Sequence, residues 1–238
     1  MRGDNAWLMA LDLSTPQGVL VLEGPGGSYH RAIEGGSRVS LLFVAADEVV
    51  DEAGIKPGDI ALIGVGRGPG SFTGVRVAAT AAKILADVLQ APLVAPDSLE
   101  VMAMAGGGRE AAMVALDARR GEVYYAFYSL EGGYPSALEG PSVGPPQEAA
   151  EALARLHAGV SGEVALLGTG VGEYPEVWPG GVKGMTQEHP TPGGLSRLCR
   201  RYLEMGWTTE AMRLLPLYIR RPDAQPSFGT EKGEGSCG

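Results

Sequence analysis

Apolar positions along the chain recur first with a period of two and then with a period near 3.6, and the sequence of the two patterns repeats. Residues 7–13 and 19–23 are apolar runs parted by Pro16, Gln17 and Gly18, which predicts a β-hairpin. A third strand is expected over residues 28–33. Ser37 stands where it would cap a helix that runs to Ala53 and stops at Gly54. Leu42, Phe43, Ala46, Val49, Val50 and Ala53 form one stripe of that helix. Leu41, Val44 and Ala45 widen it beyond what one packed face needs. An apolar strand over 60–65 then enters the glycine-dense segment Gly64-Val-Gly-Arg-Gly-Pro-Gly-Ser-Phe-Thr-Gly. A nearly uncharged helix over 72–89 and a strand over 92–95 follow.

After Gly106-Gly107-Gly108 the pattern starts again. Residues 113–128 read strand, turn, strand, and Ala115-Leu116-Asp117 matches Ala10-Leu11-Asp12 at the end of the first strand. Beyond lie a helix over 147–157, a strand over 164–167 with the turn Gly168-Thr169-Gly170, and a loop-rich span to Pro192. A helix over 195–205 and a strand or turn over 214–219 complete the pattern. The expected fold class is α/β, with a first module at residues 1–108 and a second at 109–222. The apolar-poor stretch from Asp223, residues 223–238, is expected to be a disordered tail.

Composition narrows the classes of function. Acidic residues outnumber basic ones 28 to 19, a formal net charge of −9, which argues against a chain that grips nucleic acid by itself. Cys199 and Cys237 make neither a disulfide framework nor a zinc site. The start of the chain lacks the apolar run of a signal peptide, and no stretch has membrane-span character, so a cytoplasmic protein with no membrane partner is expected.

The glycine-dense elbow has the elements of a phosphate cradle but not the wording. No lysine stands at the Walker A position, and the third glycine of a dinucleotide Gly-x-Gly-x-x-Gly is replaced by Ser71. Anion binding and a tight strand-to-helix turn packed on backbone both remain open on spacing alone. In that turn Gly68, Pro69, Gly70, Ser71 and Thr73 are the shaping residues. Asp12, Ser14 and Thr15 form the best polar cluster at a strand end. Tandem-domain actin-like phosphotransferases wrap nucleotide phosphates with an Asp-x-Gly-Thr hairpin. Here Ser14 replaces the glycine, and its Cβ hinders backbone approach, so the hairpin reads as a weak or vestigial nucleotide site. Asp117 with Arg119 and Arg120 is either an anion site or a solvated turn. His30, His157 and His189 supply no i, i+4 metal pair, and no Gly-x-Ser-x-Gly elbow exists, so metal-dependent and serine hydrolysis are disfavoured. Neither metal nor cofactor is expected. Phe72, Val75, Ala78, Ala79, Ala82, Leu85 and Ala86 make the second helix a candidate for close helix-on-helix contact. Together with Leu42, Phe43, Ala46, Val49 and Val50 they form the candidate subunit interface. An acidic residue at Val75 or Ala82 is therefore expected to break pairing and leave a folded monomer.

Four ordered blocks carry a resemblance: Gly68-Pro-Gly-Ser-Phe-Thr-Gly-Val-Arg-Val, Ala82-Lys83, Asp97-Ser98-Leu99-Glu100 and Asp117-Ala-Arg-Arg-Gly-Glu-Val-Tyr. With Pro216-Leu-Tyr-Ile-Arg near the end, they resemble the bacterial TsaB (YeaZ) family. The resemblance implies an actin/Hsp70-like tandem of two mixed-sheet, ribonuclease-H-like modules and a role in making threonylcarbamoyladenosine at A37 of ANN-decoding tRNA. It further implies a non-catalytic scaffold, similar to the catalytic subunit TsaD. Such a scaffold pairs with TsaD and the ATPase TsaE, forms a homodimer in isolation, and meets tRNA only through the complex. In one place the chain departs from the family, whose first interface helix often begins His-Ser-Glu where Arg38-Val39-Ser40 stand here. The competing class is an enzyme acting alone, an actin-fold ATP-dependent kinase or a glycoprotease-type peptidase. Such a kinase would hold ATP–magnesium through Asp12.

Overall fold

A computed structural model describes residues 6–157, 159, 162–179 and 187–220. The predicted tail from Asp223, the last two residues of the second module and Cys237 lie outside the described residues. The hairpin forms from β1 (Trp7–Asp12) and β2 (Gly18–Gly24), followed by β3 (Gly27–Ile33) and helix α1 (Arg38–Ala53). Strand β4 (Ile60–Val65), helix α2 (Phe72–Leu89) and the short β5 (Leu93–Val94) complete the first run. These strands form a mixed sheet in the order β5-β4-β1-β2-β3, with β4 parallel to β1 and the hairpins antiparallel.

The second run repeats the scheme with β6 (Ala111–Arg119), β7 (Glu122–Ser129), β8 (Ser136–Gly144) and β9 (Val164–Leu167). Their order, β8-β7-β6-β9 with β9 parallel to β6, superposes on β3-β2-β1-β4 strand for strand. The fold is thus the expected tandem of two mixed-sheet modules, and Asp12 and Asp117 occupy equivalent strand ends.

Period-two alternation decides what covers each face of the first sheet. Met9, Leu11, Leu20, Leu22 and Ile63 point to the side packed by α1 and α2. Leu8, Ala10, Val19, Val21 and Leu62 point to the other side, where Leu195, Leu198 and Cys199 meet them. Those last residues belong to α6 (Pro192–Glu204), far along the chain. The approach is close: a Cβ on Gly64 would lie 2.4 Å from the Cys199 sulfur. A final strand, β10 (Thr208–Thr209), then pairs with β5 at the sheet edge. Residues 192–209 therefore return to the first sheet, whereas the sequence reading assigned them to the second module.

Besides β10, further elements were not foreseen. Helix α3 (Ser98–Ala103) is wedged between the modules, with Val101 against the first sheet and Leu99, Met102 and Ala103 against the second. Strand β8 contains Gly140 and Pro141, which only an edge strand tolerates, and its register against β7 shifts twice. The outer face of the second sheet is covered by α4 (Pro146–His157) through Ala149, Ala152 and Leu153. The turn at Gly168 opens a five-residue helix, α5 (Thr169–Glu173). The strand expected over 214–219 is an extended segment outside both sheets.

Candidate functional site

The glycine elbow directs its backbone donors into the protein. Gly66 N–H donates to the Leu11 carbonyl at 2.9 Å, Arg67 N–H to Pro96 at 3.1 Å, and Ser71 N–H to Ser14 at 2.7 Å. Gly68 N–H donates to the Ser98 hydroxyl at 3.0 Å, and Ser98 N–H returns a bond to the Gly68 carbonyl at 2.8 Å. Groups that a phosphate cradle would turn outward are thus used to join β1, the elbow and α3. Side chains are excluded by distance: a Cβ would reach 1.9 Å from Asp12 Oδ2 at Gly66 and 2.3 Å from the Ser14 carbonyl oxygen at Gly70. Pro69 is buried behind a cis bond after Gly68. Ser71 caps α2 by accepting from Gly74 N–H at 3.2 Å, and Thr73 is exposed in its first turn. Of the two readings left open, the packed turn is the one this geometry supports.

Asp12, Ser14 and Thr15 are all buried. Asp12 Oδ1 accepts from Ser14 N–H at 2.8 Å, while Asp12 Oδ2 and the Ser14 hydroxyl have no hydrogen-bond partner among the described residues. Burial pushes the Asp12 carboxyl above its ordinary range, and the bond from Ser14 N–H offsets only part of that. Thr15 Oγ1 donates to the Gln17 carbonyl at 2.6 Å. Gly66 packs directly against the carboxylate.

Asp117 is occupied by its own turn. It accepts from Arg119 N–H at 2.8 Å and pairs with the Arg119 guanidinium at 3.1 Å, while its N–H donates to the Thr169 hydroxyl at 3.0 Å. Arg119 and Arg120 both take left-handed backbone conformations in that turn. Among the described residues, no three His, Cys, Asp or Glu side chains gather as a metal site would need. His30 and His157 are exposed, and partial burial pushes the His189 imidazole down.

The predicted interface stripe requires correction. Leu42, Val49, Val50, Ala78, Ala79, Ala82 and Ala86 are buried in the first module's own core, Val75 is buried beside Gly68, and Ala46 and Leu85 are half-buried against the core. An acidic residue at Val75 or Ala82 would therefore fall at a buried position. Most of the stripe is the face turned to the sheet, with Ala45 buried there too, while Phe43 and Phe72 of the predicted interface lie on the solvent side with Leu41 and Val44. Phe43 is 43% exposed, Val44 55%, Phe72 58%, Ile84 50% and Val88 72%, with Val39 and Leu41 beside them. Single exposed apolar residues are ordinary, whereas these all lie on α1 and α2.

The strand or turn expected over 214–219 is, with Arg220, a strap across this region. Leu217 N–H donates to the Arg67 carbonyl at 2.7 Å. The Tyr218 hydroxyl accepts from Arg76 Nε at 2.8 Å, its ring lies 5.6 Å from that of Phe72, and the Arg76 guanidinium sits 4.0 Å over the Phe72 ring. Arg220 reaches the second module, donating to the Ala118 carbonyl at 3.0 Å and pairing with Glu122. The Pro216-Leu-Tyr-Ile-Arg motif was the available signal for this segment.

Comparison with known proteins fits this arrangement. A family model described as TsaD, tRNA N6-adenosine threonylcarbamoyltransferase, matches residues 38–161. The tRNA threonylcarbamoyladenosine biosynthesis protein TsaB of Escherichia coli is 30% identical over 175 residues, covering 71% of this chain and 74% of that protein. An uncharacterized protein of Mycobacterium leprae is 33% identical over 162 residues, and the match spans 68% of this chain but only 38% of that relative. The solved structure of YeaZ from Pseudomonas aeruginosa is 31% identical with a TM-score of 0.76, covering 90% of this chain and 99% of that one.

Proposed function

Since the chain belongs to the TsaB (YeaZ) family and so to tRNA threonylcarbamoyladenosine biosynthesis, we propose that it is a non-catalytic scaffold of the transferase. It docks a TsaD-like catalytic subunit through the solvent face of α1 and α2. The carrying observation is the set of exposed apolar residues Val39, Phe43, Val44, Phe72, Ile84 and Val88 on two helices whose other faces are already packed. Burying such side chains stabilises a complex by roughly 25 cal/mol per Å² of apolar area before the costs of association. The buried Asp12 hairpin supports a role without nucleotide chemistry and weighs against the lone kinase. A TsaE-like ATPase joins the complex, tRNA meets the chain only there, and the same apolar face forms the homodimer when the chain is alone. The net charge of −9 is in keeping with that division of labour.

The test is reconstituted tRNA modification with the cognate TsaD and TsaE subunits and the enzyme that makes the threonylcarbamoyl donor. Modification should depend on this chain and fall with Val88→Asp, while that variant keeps its melting temperature. Full modification without the chain refutes the proposal. Undiminished pairing of Val88→Asp with TsaD removes Val88 from the docking face.

A further inference from the structure

Arg38 opens α1, yet its side chain turns back into the loop between β1 and β2. Nη1 donates to the Leu13 carbonyl at 2.9 Å, and Nη2 donates to the carbonyls of Thr15 at 3.0 Å and Pro16 at 2.8 Å. Three converging carbonyls make a cradle for a cation, the reverse of the N–H nest that holds a phosphate. Gly74, in the first turn of α2, lies against the same point. A Cβ there would come within 2.0 Å of the Leu13 carbonyl oxygen and 2.7 Å of Arg38 Nη1. The starts of α1 and α2 and the hairpin turn therefore meet at one guanidinium. Ser37, at the N-cap position of α1, makes no side-chain bond to the helix N–H groups.

We propose that Arg38 is the positioning residue of the docking face. Its guanidinium fills the three-carbonyl cradle and fixes the angle at which the first turns of α1 and α2 present Val39, Phe43 and Phe72. The inference rests on the docking reading above. A planar fork reaches three acceptors at once, which the point charge of a lysine does not. A neutral side chain leaves the cradle empty and the first turn of α1 held only by its backbone.

The test uses the full chain with Arg38→Ala and Arg38→Lys, read by amide hydrogen exchange over residues 38–44 and 72–76 and by affinity for the cognate TsaD subunit. Arg38→Ala should speed exchange in both segments and weaken pairing by about tenfold or more, the scale set by losing charge-assisted bonds. Millimolar guanidinium chloride should restore both readouts, and equal sodium chloride should not. Arg38→Lys should fall between. Wild-type exchange or wild-type pairing in Arg38→Ala overturns the proposal, as does a loss that guanidinium leaves unrepaired. If Arg38→Ala does not fold, Arg38→Lys carries the test, and wild-type pairing by it overturns the proposal. Phe43→Asp separates the two readings: if it pairs like wild type, the docking reading fails. If Phe43→Asp loses pairing while Arg38→Ala keeps it, only the role of Arg38 fails.

Discussion

Replacing Asp12 with Asn should stabilise the protein at neutral pH. The wild-type carboxyl is buried with one hydrogen bond, from Ser14 N–H at 2.8 Å, and its Oδ2 has no partner among the described residues. The elbow beside it contributes Gly66 and α6 contributes the Cys199 thiol, so neither supplies a compensating cation. A buried acceptor left unsatisfied costs about 1–3 kcal/mol, and more when it is charged. The sign follows from linkage. Burial raises the folded-state pKa of Asp12 above its ordinary 3.8, so the folded state holds the proton more tightly than the unfolded state. The contribution to stability is full below the unfolded pKa and is lost as pH rises through the folded pKa. Asn is neutral throughout and escapes that loss. Thermal unfolding of both forms from pH 4 to pH 8 should show curves that nearly coincide at the acid end and separate upward. The Asn variant should lead by about 2–4 °C for each kcal/mol at pH 8. A lower melting temperature for Asp12→Asn at pH 8, or a gap independent of pH, would refute the buried-carboxyl reading. It would also reopen Asp12 as a ligand for metal or nucleotide.

Two further outcomes are expected. Ala82→Glu places a carboxylate at a position with no exposure, in the core between α2 and the first sheet, and should cost about 4 kcal/mol or more. Loss of the cooperative urea transition checks this, and a folded Ala82→Glu monomer would contradict the core assignment. Gly66→Ala forces a Cβ to 1.9 Å from Asp12 Oδ2 and should lower stability by about 1–3 kcal/mol, read as a shift in urea midpoint.

Most of the fold was legible because its strands and helices carry strong periodic patterns. The hairpin, α1, β4, α2 and β9 lie within a residue or so of expectation. What was missed had weak local signals and tertiary causes. The stretch around Gly140 and Pro141 reads as loop, and it becomes β8 only because β7 offers an edge to pair with. Helix α3 has six residues, too few for a periodic stripe, although Asp97 and Glu100 write a capping box at its start. The interface error has a different origin. A hydrophobic stripe shows which residues share a face, not whether a sheet or a second subunit covers it. Only the placement of Leu42 and Ala78 against Met9, Leu11 and Ile63 decides that. The surplus residues Val44 and Leu41 were visible in the sequence and were the better guide to the exposed side.

The elbow, the strap and α3 share contacts, which bears on how docking is felt in the second module. Phe72 lies on the proposed docking face, its ring tilted against that of Tyr218. One residue earlier in the strap, Leu217 bonds the elbow at Arg67, whose Nε donates to Asp97 at 2.6 Å at the start of α3. Two residues later, Arg220 holds the β6–β7 hairpin. Glu100, one turn along α3, accepts from Tyr202 of α6, and burial pushes its carboxyl up. The steps in this chain are direct contacts. A partner that presses on Phe72 therefore acts on a strap fastened to both modules. The glycine elbow, its N–H groups spent on internal partners, is the point where that strap, the wedge helix and α2 are tied together.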